Sequence, residues 1–349
     1  MKQLINIFLL LTLPIVVVLL SLWYHYDSHS LFDEDQEFFV VHENYQDFKM
    51  DLDSLISGGS FSGPINTLTL DLFLSKKRLK YWFHRGGVHG RYVFPEKTTI
   101  NDMINKLRVG GRDPVNVIFN SSNNNLDVFG VVSKQLAVDS IDFINYVDTS
   151  EINLDLLCLI PETYNMYWNI SVDGFLKKME QEYNSFWNKE RVWLAGQIDL
   201  KPFQVMVLAS IVEKEARHTD EMKTIAGVYL NRLNGLTKFG KMKLQADPTI
   251  NYCRVKSGKI RKNRIKERHI NEEFDCLHNT YSHYGLPPSP ICVPSTQAID
   301  AVLEAEKHQF IYFCAKPDFT GYHNFAKNLR QHNKNAKRYH NWCNKMGIN

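Results

Sequence analysis

The stretch VMVLASIVEKE, residues 205–215, constrains the fold more than any other part of this 349-residue chain. Its run of eight residues at 205–212 is too uniformly apolar for a surface helix, which shows only one apolar stripe, so it reads as a helix buried on all sides. Glu213 and Glu215 follow at once. A carboxyl moved from water toward an apolar wall has its charged form disfavoured, which raises its pKa toward neutrality and suits it to donate a proton. Both glutamates are therefore candidates for chemistry. Two residues on a helix point about 200° apart, so only one can face a given pocket, and periodicity does not choose between them. The bland alternative is that the helix simply leaves the core here and both carboxylates are solvated.

Composition narrows the class. A chain of this length with 44% hydrophobic residues can build packed cores and more than one domain. A formal charge of +3 is too slight for a nucleic-acid binder. The basic run from Arg254 to His269 holds eight Lys or Arg residues with no interleaved aromatic, and reads as a solvated insertion. Six cysteines at scattered positions include no C-x-x-C pair, so neither a zinc ribbon nor a thioredoxin-type motif is present. No metal and no organic cofactor is expected.

Residues 4–24 carry no charged side chain and are long enough to cross a bilayer as a helix. Lys2 precedes them, while Asp27, Asp33, Glu34, Asp35 and Glu37 follow, which predicts a cytoplasmic N-terminus and an extracytoplasmic remainder. No small-residue cleavage site follows, so an uncleaved anchor is expected. Residues 1–26 are read as N-terminus and transmembrane helix, 27–65 as an acidic tether, and 66–137 as a small module. The last contains a short helix near 68–74 and a β-α-β pattern at 90–119, compatible with a lysin-motif-like sugar-binding fold. Residues 138–349 form the main domain, and the fold class is α+β.

Within that domain Pro202 is placed to open the central helix, Thr219 or Asp220 to cap the next one and Gly235 to end it. Asp247, followed by Pro248, suggests a turn in which its oxygens bond backbone N–H groups. A hairpin is expected around 310–325, then a final polar helix.

Six motifs in order, LASIVEKE (208–215), AGVYLNRL (226–233), LQADPT (244–249), NTY (279–281), GLPPSPI (285–291) and YHNFAKNLRQHN (322–333), resemble the endolytic murein transglycosylase family, also called YceG-like. The resemblance implies a membrane-anchored lytic transglycosylase of the inner membrane, with its catalytic domain outside the cytoplasm. It would cut the β-1,4 bond between N-acetylmuramic acid and N-acetylglucosamine and leave a 1,6-anhydro end. The implied partners are peptidoglycan glycan strands and peptidoglycan synthases. By this resemblance the acid falls on Glu213, with Glu215 as the second candidate. Gln245, Asp247 and Thr249 are implied as cleft residues, Asn279 and Tyr281 as groove residues, and Arg232 as a contact to the lactyl or peptide carboxylates, with His323 and Asn324 as weaker candidates. A muramidase that consumes water and a non-catalytic peptidoglycan-binding scaffold remain the alternatives.

Overall fold

The computed structural model describes residues 14–21, 23–24, 26, 31–32, 35–41, 45–57, 81, 88–235 and 240–347. Residues 14–21 are helical. The rest of the expected span, 4–13 and 22, and the short helix expected near 68–74 lie outside the described residues. Among the described residues, no helix is long and apolar enough to cross a membrane. The chain divides into two compact units, Met1–Val117 with Gln135–Ala137 and Tyr164–Ile170, and Ile118–Lys134 with Val138–Thr163 and Ser171–Asn349.

In the first unit, residues 27–65, expected as an acidic tether, include regular structure. Gln36–Val40 forms strand β1, and Tyr45–Ser57 helix α1. The acidic composition masked an apolar stretch, Phe38 to Val40, that adds an antiparallel partner to β2 (Gly90–Phe94), pairing Gln36 with Phe94 and Val40 with Gly90. Helix α2 (Ile100–Arg108) starts at Thr99 with a capping box to Asp102 and buries Ile100, Met103, Ile104 and Leu107. These join Phe32, Tyr92 and Phe94 in a core of their own.

Strand β3 (Pro114–Ile118) completes the expected β-α-β order, but it pairs with β4 (Thr163–Tyr167), not with β2. The stretch does not close on itself as a separate module, because both of its strands take their partners from outside it.

The second unit is mainly helical: α3 (Asn125–Val132), α4 (Ser140–Thr149), α5 (Val172–Phe186), α6 (Lys189–Gln197), α7 (Pro202–Glu215), α8 (Met222–Asn234), α9 (Asp247–Lys256), α10 (Glu267–Glu272), α11 (Thr296–Leu303) and α12 (Leu329–Lys345). It also carries the antiparallel hairpin β5 (Tyr312–Ala315) and β6 (His323–Ala326). Helix α7 is the axis. Pro202 opens it, all residues from Val205 to Val212 are buried, and α6, α8, α9 and α11 pack around it. Burying a polar Ser210 in that run is tolerable because its hydroxyl donates to Val207 O and accepts from Ile291 N.

Helix α8 crosses close to the chain at 306–308. A Cβ on Gly227 would come within 2.4 Å of Glu306 O, so only glycine admits this approach. The cap expected at Thr219 or Asp220 is absent. Thr219–Glu221 forms a short 3-10 turn that leads into α8 with no side-chain cap. Instead Glu221 turns to His323, accepting from its backbone N–H and meeting Nδ1 at 2.9 Å. Gly235 ends α8 in the left-handed conformation, as its position predicts.

Candidate active site

The last turn of α7 delivers three polar side chains in three directions. Glu213 is half-buried and accepts at Oε2 from the backbone N–H of Ser295 (3.2 Å) and from its hydroxyl (2.5 Å). Ser295 is also the N-cap of α11, so this contact ties the two helices together. Lys214 donates to Asn123 Oδ1 at 3.1 Å. Glu215 accepts at Oε1 from the hydroxyl of the fully buried Tyr229, at 2.8 Å.

Glu215 has the environment the sequence called for. Burial pushes its carboxyl up to about 7, the nearby charge of Asp247 adds to the rise, and the Tyr229 hydroxyl and Arg232 oppose it. Removing a carboxylate from water costs more here than one hydroxyl and one buried cation return.

Asp247 corrects the turn reading: it is the first residue of α9 rather than a loop residue bonding backbone amides. It is exposed along one edge, and its Oδ1 accepts from the Tyr281 hydroxyl at 2.5 Å. The protein packed on its other side pushes its carboxyl above the ordinary range despite that bond. Burial and the adjacent Asp247 likewise hold the Tyr281 phenol up, as a neutral donor. Gln245 stands exposed beside them with φ +50°, a left-handed backbone that is strained for any residue with a Cβ.

The remaining expected contacts are scaffolding. Thr249 is fully buried, and its hydroxyl is spent on Ala246 O and Thr280 Oγ1. Asn279 is fully buried as well; it donates to Ile270 O and Glu273 O and accepts from the N–H groups of Tyr281 and Ser282. It aims Tyr281 rather than touching a ligand. Arg232 is buried, and its guanidinium braces the backbone carbonyls of Ile311 and Leu244 between the rings of Tyr229 and Tyr312. It is an electrostatic neighbour of Glu215, enclosed away from any carboxylate of a substrate. The weak candidate His323 is engaged by Glu221.

The structure therefore gathers Asp247, Tyr281 and Arg232 around Glu215, with Gln245 two residues before Asp247, while Glu213 keeps to Ser295. Two members of the site were not anticipated. Tyr229 lies within the AGVYLNRL motif, where nothing in the sequence distinguishes its hydroxyl from the apolar residues around it. The Cys253–Cys276 disulfide joins α9, which begins with Asp247, to the loop that carries Tyr281. Among the other cysteines, Cys292 and Cys343 are buried and free, and Cys158 and Cys314 are half-buried and free.

Comparison with known proteins decides the family. A model of the YceG-like family matches residues 63–338, well over half of the chain. The chain belongs to the YceG-like family. This YceG-like chain is 31% identical over 182 residues to a protein of Bacillus subtilis named endolytic murein transglycosylase, covering 52% of this chain and 47% of that one. It is 29% identical over 188 residues to the protein of the same name from Streptococcus pneumoniae D39, covering 52% and 32%. The match thus spans less than half the length of either relative. A crystal structure of a YceG-like protein from Listeria monocytogenes is similar at 20% identity and a TM-score of 0.49, covering 86% of this chain and 98% of that one.

Proposed function

We propose that this chain is an endolytic lytic transglycosylase that cuts glycan strands of peptidoglycan, with Glu215 as acid and then base. The observation that carries the assignment of the acid is the Glu215 carboxyl, pushed up to about 7 by burial beside the half-open Asp247–Tyr281 pair. Near neutral pH such a group is protonated often enough to give a proton and weak enough as an acid to take one back.

The chemistry balances on one residue. Glu215 gives its proton to the glycosidic oxygen as the C1–O bond breaks, and positive charge develops at C1 of the muramoyl ring. The resulting carboxylate takes the proton of the muramoyl C6 hydroxyl, whose oxygen closes on C1 as the 1,6-anhydro ring. No water enters. A hydrolase would ordinarily need a second carboxylate to activate water or to attack C1, and the candidate here, Asp247, already accepts from Tyr281. Asp247 keeps negative charge near the reacting centre, and Tyr281 and Gln245 offer a phenol and an amide to sugar hydroxyl and acetamido groups. The name shared by the two bacterial relatives agrees with this reading.

In the same proposal residues 4–24 anchor the chain in the inner membrane with the second unit outside the cytoplasm. The charge asymmetry around that stretch supports the orientation, and the Cys253–Cys276 disulfide suits an oxidising compartment. Peptidoglycan synthases, which release strands at that surface, are the expected neighbours. Digestion of purified peptidoglycan by the full chain, read by mass spectrometry, tests the reaction. Anhydro-muramoyl ends support it, ends heavier by one water mean a muramidase, and binding with no released product means a scaffold.

A further inference from the structure

A second groove begins at Lys214, the residue between the two glutamates. It encloses about 350 Å³ and has an apolar floor that includes Pro248, Val255 and Ile291, with Lys214, Lys256 and Arg261 around it. A smaller cavity of about 150 Å³ continues it inward and shares the walls Asn123, Leu126, Asp155 and Tyr252.

The charges of this groove are unequal. Lys256 is neutralised by an ion pair with Asp155. Lys214 contacts only the Asn123 amide oxygen, and Arg261 has no carboxylate partner among the described residues. Neither Lys214 nor Arg261 is held in an ion pair among the described residues. Deeper in, Asn125 lines the cavity with a buried Oδ1 that has no hydrogen-bond partner among the described residues. A buried acceptor left unpaired costs about 1–3 kcal/mol, so a ligand N–H would find a ready partner there. Arg232, which the sequence suggested for substrate carboxylates, is spent inside the core.

We infer that this groove binds the peptide stem of the muramoyl residue, with Lys214 and Arg261 pairing stem carboxylates and Asn125 accepting a stem amide. The inference rests on the transglycosylase reading, since the stem hangs from the same sugar whose C1 Glu215 would attack. Lys214 and Pro248, the chain neighbours of Glu215 and Asp247, both line the groove, so it opens beside the turn that carries Glu215. Apolar floor and cationic rim together match a short anionic peptide better than a bare glycan, which offers hydroxyls and no charge.

The test compares two substrates for the full chain: glycan strands that carry stems, and strands stripped of them by an amidase. The parent is expected to favour stem-bearing strands by tenfold or more in kcat/KM, and Arg261→Glu to shrink that ratio severalfold, mainly through KM. Equal turnover of both strands by the parent overturns the inference and leaves the transglycosylase reading standing. If neither strand gives anhydro products, the transglycosylase reading fails instead, and binding of a fluorescent free stem peptide decides the groove alone. Binding that Arg261→Glu weakens at least fivefold supports the groove; no binding, or equal binding of inorganic polyphosphate, overturns it.

Discussion

Glu213 and Glu215 leave the same turn of α7 and meet different surroundings. Glu213 is held by two donors from Ser295 at the start of α11, a contact that fastens one helix to another. Glu215 meets one phenol from a fully buried tyrosine, a second carboxylate and a buried guanidinium. One environment supplies two hydrogen bonds from a helix start; in the other, burial disfavours the charged form of the side chain. Proton-transfer capacity here comes from the walls around a side chain, not from the residue type.

The largest effect should separate the two outright. Glu215→Gln is expected to lower the release of anhydro products by about a thousandfold with the thermal transition preserved, and Glu213→Gln by tenfold or less. The reverse order in a muropeptide assay would return the acid to Glu213 and break the comparison.

The next prediction uses pH. Glu215 has its folded-state pKa raised from the ordinary 4.5 to about 7. Between those values the folded chain holds the proton more often than the unfolded one, so this group makes stability fall as pH rises. The full effect is roughly 3 kcal/mol above pH 7. His278 acts in the opposite sense: burial, helped by the Lys256 charge, lowers it from 6.5 to about 4, so its contribution is lost as pH falls through that window. The two slopes offset each other in the parent between about pH 4.5 and 6.5. Denaturant titrations should show the Glu215→Gln protein gaining stability with pH across that window where the parent stays nearly level; parallel curves would refute the burial of Glu215.

Breaking the disulfide with Cys253→Ser and Cys276→Ser should cost about 3 kcal/mol, from the loop it closes. It should also lower turnover, because Asp247 and Tyr281 lose their covalent tether. Unchanged kcat with the lower transition temperature would show that the hydrogen bond suffices. The smallest effect belongs to the Glu213 side: Ser295→Ala removes a cap and the hydroxyl contact to Glu213 while leaving the backbone N–H contact in place, and should cost about 1 kcal/mol of stability while kcat stays within twofold. A larger loss of kcat would mean that Glu213 needs its donor for chemistry.

Much of this architecture is legible in local signals. Pro202 at the start of α7, Gly235 and the β5–β6 hairpin each act within a few residues, and each forms where the sequence puts it. Long-range partners are not legible. Nothing in residues 36–40 announces that they pair with 90–94, and nothing in six scattered cysteines selects Cys253 and Cys276. The site divides in the same way. Six substrate contacts were named from motifs, yet Thr249, Asn279 and Arg232 turn their polar atoms inward, for Thr249 and Arg232 toward chain segments tens of residues away. Periodicity separated Glu213 from Glu215 by half a turn of helix; only the packed neighbours decide which side is dry.

The Cys253–Cys276 bridge has one further consequence. It encircles the lysine- and arginine-rich loop, whose residues 255–264 are exposed and offer several bonds to a trypsin-like protease. A cut there would open the backbone without parting the molecule, since the sulfur bond and the packing of α9 hold both pieces. The nicked protein would run as one band without reductant and as two with it, and the fold would survive damage at this exposed segment.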